Sequence, residues 1–229
     1  MKILSIDTSS SICAVAILED NKLLKEYSQN NGLTHSETLM PIIRETLSSL
    51  NLSLNDIGLI VCDKGPGSFT GIRIGVATVK AFSDSLNIPA IGVSSLETLA
   101  YNIKTDGVIC SLIDAKNDNV YVGVFEKIDD NYILKRNFSA ENIFDVLGEF
   151  KNSEYKITFV GDGAVNYKDI ILSALPNKCI FADNNDLSAY NLGIASLKHL
   201  KNDSDCDVLP LYIRKPQAER MHENNSKCN

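Results

Sequence analysis

Asp63-Lys64-Gly65-Pro66-Gly67-Ser68-Phe69-Thr70-Gly71-Ile72-Arg73-Ile74-Gly75 joins an apolar strand-like run, Ile57 to Cys62, directly to an apolar-periodic stretch. Glycine permits positive φ and close backbone approach, and proline fixes a turn. Thr70 is placed to cap a helix predicted over 71–86, running through Ile72, Val76, Val79 and Leu86. Such a junction gathers backbone N–H groups and a helix N-terminus at one point, which suits an anion. Its spacing is neither the Gly-Lys-Ser/Thr ending of a Walker loop nor the GxGxxG dinucleotide turn. A tight strand-to-helix turn explains the same glycines, so both readings stay open for Gly65, Pro66, Gly67, Thr70, Gly71 and Arg73.

Outward from this junction the chain reads as α/β. Strands are predicted at about 2–7, 12–18 and 22–28, with Glu19-Asp20-Asn21 turning the last two into a hairpin. Thr34 with Glu37 three residues on is a capping box, and Leu39, Ile43, Leu47 and Leu50 form one stripe of a helix over 34–50, with Pro41 predicting a kink or a lost hydrogen bond. After the junction come a strand at 89–93 and a helix from Ser95. The second half repeats the order: strands at 108–113, 119–126 and 131–138, a helix at 140–149, a strand at 156–160, a helix at 164–174, a short strand near 179–181 and a helix at 188–201. Two successive β-β-β-α-β-α runs imply a duplicated unit of mixed sheets covered by helices. A polar step at Lys104-Thr105-Asp106-Gly107 suggests units 1–103 and 104–229, the last helix packing back on the first and 221–229 a frayed tail.

Composition bounds the function. The 229 residues are 44% hydrophobic and 22% charged, and no apolar run reaches the roughly 18 residues of a membrane span. Met1-Lys2 leads straight into a strand, without the pattern of a secretory signal, so the expectation is a cytoplasmic protein. Six cysteines, at 13, 62, 110, 179, 206 and 228, are scattered singly. Those at 13, 62 and 110 sit in apolar runs and read as small buried hydrophobes. A net charge of −7 lacks the basic footprint that would grip a phosphate backbone unaided.

Six blocks carry a family resemblance: MKILSIDTSSSICAVAIL at 1–18, THSETLMP at 34–41, DKGPGSFTGIRIGVATVKAF at 63–82, GVSSLETLA at 92–100, IDAKNDNVYVGVF at 113–125 and YIRKPQAER at 212–220. In this order they resemble the bacterial TsaB (YeaZ) family, over essentially the whole chain. The resemblance implies the duplicated fold of actin, Hsp70 and sugar kinases (ASKHA). It also implies a role in placing threonylcarbamoyl on N6 of adenosine 37 of tRNAs reading ANN codons: a TsaC-type enzyme makes threonylcarbamoyl-adenylate, TsaD transfers the group, and this chain holds TsaD active while the ATPase TsaE docks on the pair. tRNA is then met only through the complex, and the isolated chain is expected to pair with itself.

The same resemblance implies what is missing. Where TsaD carries a metal-binding His-x-x-x-His pair, this chain has Ser95 and Leu99, and a leucine cannot ligate a metal. Asp7-Thr8-Ser9-Ser10 occupies the place of one phosphate turn. Its counterpart, Asp114 to Asn119, has no glycine, and Gly161-Asp162-Gly163 puts an acid where the adenosine-side loop would lie. No cofactor, metal or catalytic residue is therefore expected. Glu97 reads as an early-turn charge, His35 with Glu37 as too sparse for a metal site, and His199 and His222 as surface histidines. Gly75, Ala77, Thr78 and Ala81 form a small-residue strip, with Leu33, Met40 and Ile42 taken to lie off the main stripe of the first helix. Core packing explains much of this pattern. The resemblance implies an interface, with Leu33, His35, Met40, Ile74, Gly75, Thr78 and Ala81 as its candidates. The rivals are a metal-dependent (glyco)peptidase and an ATP-dependent small-molecule kinase of the same fold.

Overall fold

The computed structural model describes residues 1–30, 32, 34–202 and 208–214. Leu33, Cys206, His222 and the tail from 215 onward, each named above, lie outside the described residues.

Two five-stranded sheets repeat one plan. The first holds β1 (Lys2–Asp7), β2 (Cys13–Glu19), β3 (Lys22–Gln29), β4 (Leu59–Asp63) and β5 (Ala90–Val93) in the order β3-β2-β1-β4-β5. The β1–β2 and β2–β3 pairs are antiparallel, and β1–β4 and β4–β5 are parallel. The second sheet holds β6 (Gly107–Asp114), β7 (Asn119–Ile128), β8 (Asn131–Asn142), β9 (Ile157–Val160) and β10 (Cys179–Phe181) in the matching order β10-β9-β6-β7-β8. Its parallel and antiparallel pairs fall in the same places.

Strand periodicity divides the apolar residues into layers. Along β1 and β2, Leu4, Ile6, Val15 and Ile17 face outward under α1 (His35–Ser49) and α2 (Phe69–Leu86). Ile3, Ala14, Ala16 and Leu18 face the middle of the molecule, with α3 (Ser95–Ala100) and α7 (Ala189–Asn202). Cys110, Leu112, Val120 and Val122 of the second sheet face α4 (Ile143–Phe150), α5 (Asp162–Asn166) and α6 (Lys168–Ala174). The middle layer ties the halves together: Ser5 on β1 donates to the Ala189 carbonyl of α7 at 2.5 Å, and Tyr101 stacks on Tyr132 at 4.0 Å. Cys13, Cys62 and Cys110 are buried as read.

Several expectations need correction. The helix read over 164–174 is two helices, because the chain breaks at Tyr167, whose φ of −104° and ψ of 19° leave the helical region. Pro41 is not among them: it sits exposed inside an uninterrupted α1, where its missing N–H leaves out one helical hydrogen bond, one of the two outcomes expected. Ile42 is only 2% exposed and belongs to the core beside Ile43, not to an outer face. Leu86, read on the buried stripe of α2, is 38% exposed near the end of that helix, just before Asn87 caps it in the left-handed conformation.

Candidate functional site

The junction is built inward. β4 ends at Asp63, Gly65 takes φ of +98° before a cis Gly65–Pro66 bond, and Ser68, not Thr70, caps α2 by accepting the Gly71 N–H at 3.2 Å. Thr70 is exposed in the first turn. Several of the junction's amides are engaged within the chain. Gly65 N–H goes to Asp63 Oδ1 at 2.7 Å, Ser68 N–H to the Ser9 carbonyl at 2.6 Å and Ile72 N–H to the Ser68 carbonyl at 2.9 Å.

The glycines serve contact with the β1–β2 turn. A Cβ at Gly67 would fall on the Ser9 carbonyl, one at Gly71 on the Thr8 carbonyl and one at Gly75 2.5 Å from Thr8 Oγ1. Thr8 Oγ1 donates to the Gly71 carbonyl at 2.7 Å, closing the contact. Gly75, read as part of an outward strip, therefore faces inward. Among the residues that α2 leaves exposed are Thr70, Arg73, Ala77 and Ala81, with Ile74 and Thr78 half-buried. On α1, Met40 is 50% exposed. The capping box is present: Thr34 N–H reaches Glu37 Oε2 at 3.0 Å, which assigns Glu37 to the helix start.

A cleft of about 820 Å³ lies beside this junction, lined from the first half by Ser9, Ser10, His35, Gly67 and Thr70 and from the second by Ile113, Asp114, Lys116, Asp162 and Asp186. His35 Nε2–H donates to the Ser10 carbonyl at 2.8 Å, while Nδ1 is buried without a partner. His35 thus ties α1 to the β1–β2 turn. Across the cleft, Lys116, Asn117 and Asp118 all take positive φ (65°, 54° and 56°), a turn without glycine. Asp162 accepts the Asp114 N–H at 2.9 Å, and Asp114 pairs with Lys116 Nζ at 2.8 Å. Burial opposes ionisation of Asp114, but its bonds from Lys116 and Asn166 more than offset this and hold it below the usual carboxylate range. Burial pushes Asp162 up. A polyphosphate would meet these acids with Lys116, the one lysine among the described lining residues, already engaged, which weighs against a nucleotide.

The third cluster is the floor of α3. Ser95 is fully buried and donates to Asp63 Oδ1 at 2.6 Å. Leu99, 1% exposed, packs in the middle layer. Glu97 sits in the first turn of α3, as read, and its Oε2 lies 3.0 Å from His199 Nε2, so His199 is not the plain surface histidine that the sequence suggested: the two are 102 positions apart in the chain, and no local signal marks the pair. Among the described residues no group of three or more His, Cys, Asp or Glu side chains could hold a metal, and no helix is long and apolar enough to cross a membrane.

A family model described as TsaD, tRNA N6-adenosine threonylcarbamoyltransferase, matches residues 27–221. The chain is similar to the tRNA threonylcarbamoyladenosine biosynthesis protein TsaB of Bacillus subtilis, at 33% identity over 223 residues and 96% of each chain. In structure it is similar to a Pseudomonas aeruginosa protein described as resembling peptidase YeaZ, with a TM-score of 0.77, 23% identity and coverage of 93% of this chain and 99% of that one. It is more distantly similar to the activator of the 2-hydroxyisocaproyl-CoA dehydratase of Clostridium difficile, at a TM-score of 0.50, 14% identity, and 89% and 97% coverage. The two like sheets and these neighbours give the ASKHA-like fold.

Proposed function

Because this chain belongs to the TsaB family of tRNA threonylcarbamoyladenosine biosynthesis proteins, we propose that it works as a noncatalytic subunit, holding a TsaD-type transferase in its active form. The observation that carries this reading is the state of α3. The two positions that the resemblance aligns with metal-binding histidines are core residues, Ser95 bonded to Asp63 and Leu99 packed among apolar side chains. Neither supplies a ligand, and opening either to a metal would cost the middle layer its packing. The same residue types weigh against a metal-dependent peptidase. The acids around the second turn of the cleft weigh against a kinase, which needs two working phosphate turns and a base at the acceptor hydroxyl.

A subunit without chemistry acts through a partner. The surface on offer is the outer face of α1 and α2, where Met40, Ile74, Ala77, Thr78 and Ala81 leave room for another helix to approach closely. We take this face to be shared, closing a two-fold homodimer in isolation and a heterodimer with TsaD in the complex, with TsaE docking on the pair and tRNA held by the assembly. Residues 1–103, in this reading, form the subdomain that carries the interface and 104–229 its duplicate, working in the cytoplasm.

The test is transfer of threonylcarbamoyl to tRNA by TsaC, TsaD and TsaE with and without this chain. Product should require TsaD and rise strongly when this chain is added, and the chain should give no product in place of TsaD. Undiminished modification without this chain would leave the reading without a role to explain.

A further inference from the structure

Phe69, Arg73 and Tyr212 form an exposed box on the flank of α2. The Arg73 guanidinium carbon lies 3.9 Å from the centre of the Phe69 ring, and Nε donates to Tyr212 Oη at 2.8 Å. The two rings are 5.2 Å apart and tilted by 32°. Tyr212 arrives on a segment following α7 that is fastened at both ends of this stretch: Leu211 N–H donates to the Lys64 carbonyl at 2.7 Å, and Arg214 Nη1 to the Ala115 carbonyl at 3.4 Å. Phe69 is nevertheless 38% and Tyr212 44% exposed.

The chemistry of this box is that of an unfinished contact. Arg73 is held by the Phe69 ring, by the Tyr212 ring 5.7 Å from the guanidinium carbon and by one hydrogen bond, yet its terminal nitrogens make no hydrogen bond or ion pair among the described residues. A free surface arginine keeps its rotamer freedom, which binding must remove. Here part of that freedom is already lost, with the planar fork left open to a bidentate anion. Phosphate and carboxylate share this geometry. A polyanion is held by many cations at once, whereas the exposed face of α2 offers besides Arg73 only Lys80, on a chain of net charge −7. Aromatic and arginine side chains are enriched at the centre of protein interfaces. The box is continuous with the small strip, since Arg73, Ala77 and Ala81 recur at i and i+4 on one face.

We infer that Arg73, preorganised by Phe69 and Tyr212, is an anchor of the partner interface and receives a carboxylate of the TsaD-type subunit. The inference rests on the shared-face reading above. Titration calorimetry of the full chain with TsaD tests it, using Arg73→Lys, Arg73→Met, Tyr212→Phe and, separately, Ala81→Arg. Arg73→Met should weaken association at least about 30-fold and Arg73→Lys about 10-fold, because lysine cannot make the fork. Tyr212→Phe should fall between wild type and Arg73→Lys, with melting temperatures unchanged. The salt dependence of association should flatten in Arg73→Met. If both Arg73 variants bind within about two-fold of wild type while Ala81→Arg abolishes association, the anchor is wrong and the shared face stands. If Ala81→Arg also binds normally, the shared face itself fails and the anchor with it. Weaker tRNA binding by the complex at unchanged TsaD affinity would assign Arg73 to phosphate and overturn the inference.

Discussion

Asp7 and Asp63 end neighbouring parallel strands one position beyond the Ile6–Cys62 pair, and both carboxyls are 1% exposed. Asp7 Oδ1 accepts the Ser9 N–H at 2.8 Å and the Ser9 hydroxyl at 2.7 Å. Asp63 Oδ1 holds Gly65 and Ser95, and its Oδ2 is buried without a partner. Burial, then the Asp7 charge, push Asp63 well above the usual carboxylate range. Burial raises Asp7 as well. The junction is thus fastened by a carboxyl that favours its neutral form.

The sign of the consequence follows from linkage. Below the unfolded-state value near 3.8 Asp63 is neutral in both states and contributes no penalty. As pH rises past that value the unfolded chain ionises while the folded one keeps the proton, so Asp63 subtracts stability until its raised folded-state value is passed. Asp63→Asn keeps an oxygen for Gly65 and Ser95 and cannot ionise. Urea unfolding at a series of pH values should show the variant gaining on wild type from about pH 4 upward and at least as stable at pH 8. A constant difference across the series would mean that folding leaves the Asp63 carboxyl unshifted, and wild type gaining on the variant as pH rises past 3.8 would mean that the folded carboxyl is ionised.

Gly71→Ala should be among the costlier single-methyl additions in the chain, because the new Cβ falls on the Thr8 carbonyl. Overpacking against backbone predicts a loss of about 3 kcal/mol. The control is Gly148→Ala in α4, where nothing lies within 4 Å of the added carbon. There helix propensity predicts a gain of roughly 1 kcal/mol. Two melts with shifts of the same sign would contradict the packing account.

Ala81→Arg should convert an isolated homodimer to monomer without lowering the melting temperature, since Ala81 is exposed and the stripe of Val76 and Val79 stays covered. Sedimentation at low micromolar concentration reads this directly. A folded variant that stays dimeric would place the interface elsewhere.

ATP with magnesium at millimolar concentration should leave the melting curve almost unmoved, given Asp114, Asp162 and Asp186 around the cleft. Ligand at about 100 times its dissociation constant would add about 2.7 kcal/mol. A shift of several degrees would therefore return the kinase reading to consideration.

What the sequence determined by itself was local and periodic. The short apolar run Ile3-Leu4-Ser5-Ile6 placed a strand, Thr34 with Glu37 placed the start of α1, and the repeated strand and helix order announced the duplication, because these signals act over a few residues. The absence of ligand chemistry at Ser95 and Leu99 was also visible there, as a matter of residue type. Only the tertiary structure decided which way the junction faces. The residue types of Gly67, Gly71 and Gly75 do not say what they approach, and the close contact they make is with Thr8 and Ser9, some sixty residues away. Asp63 with Asp7, Glu97 with His199, and Arg73 with Tyr212 are likewise pairs made by strand register and helix docking. No spacing along the chain encodes such a pair, because a side chain's charge state and partners depend on the layer it is packed into.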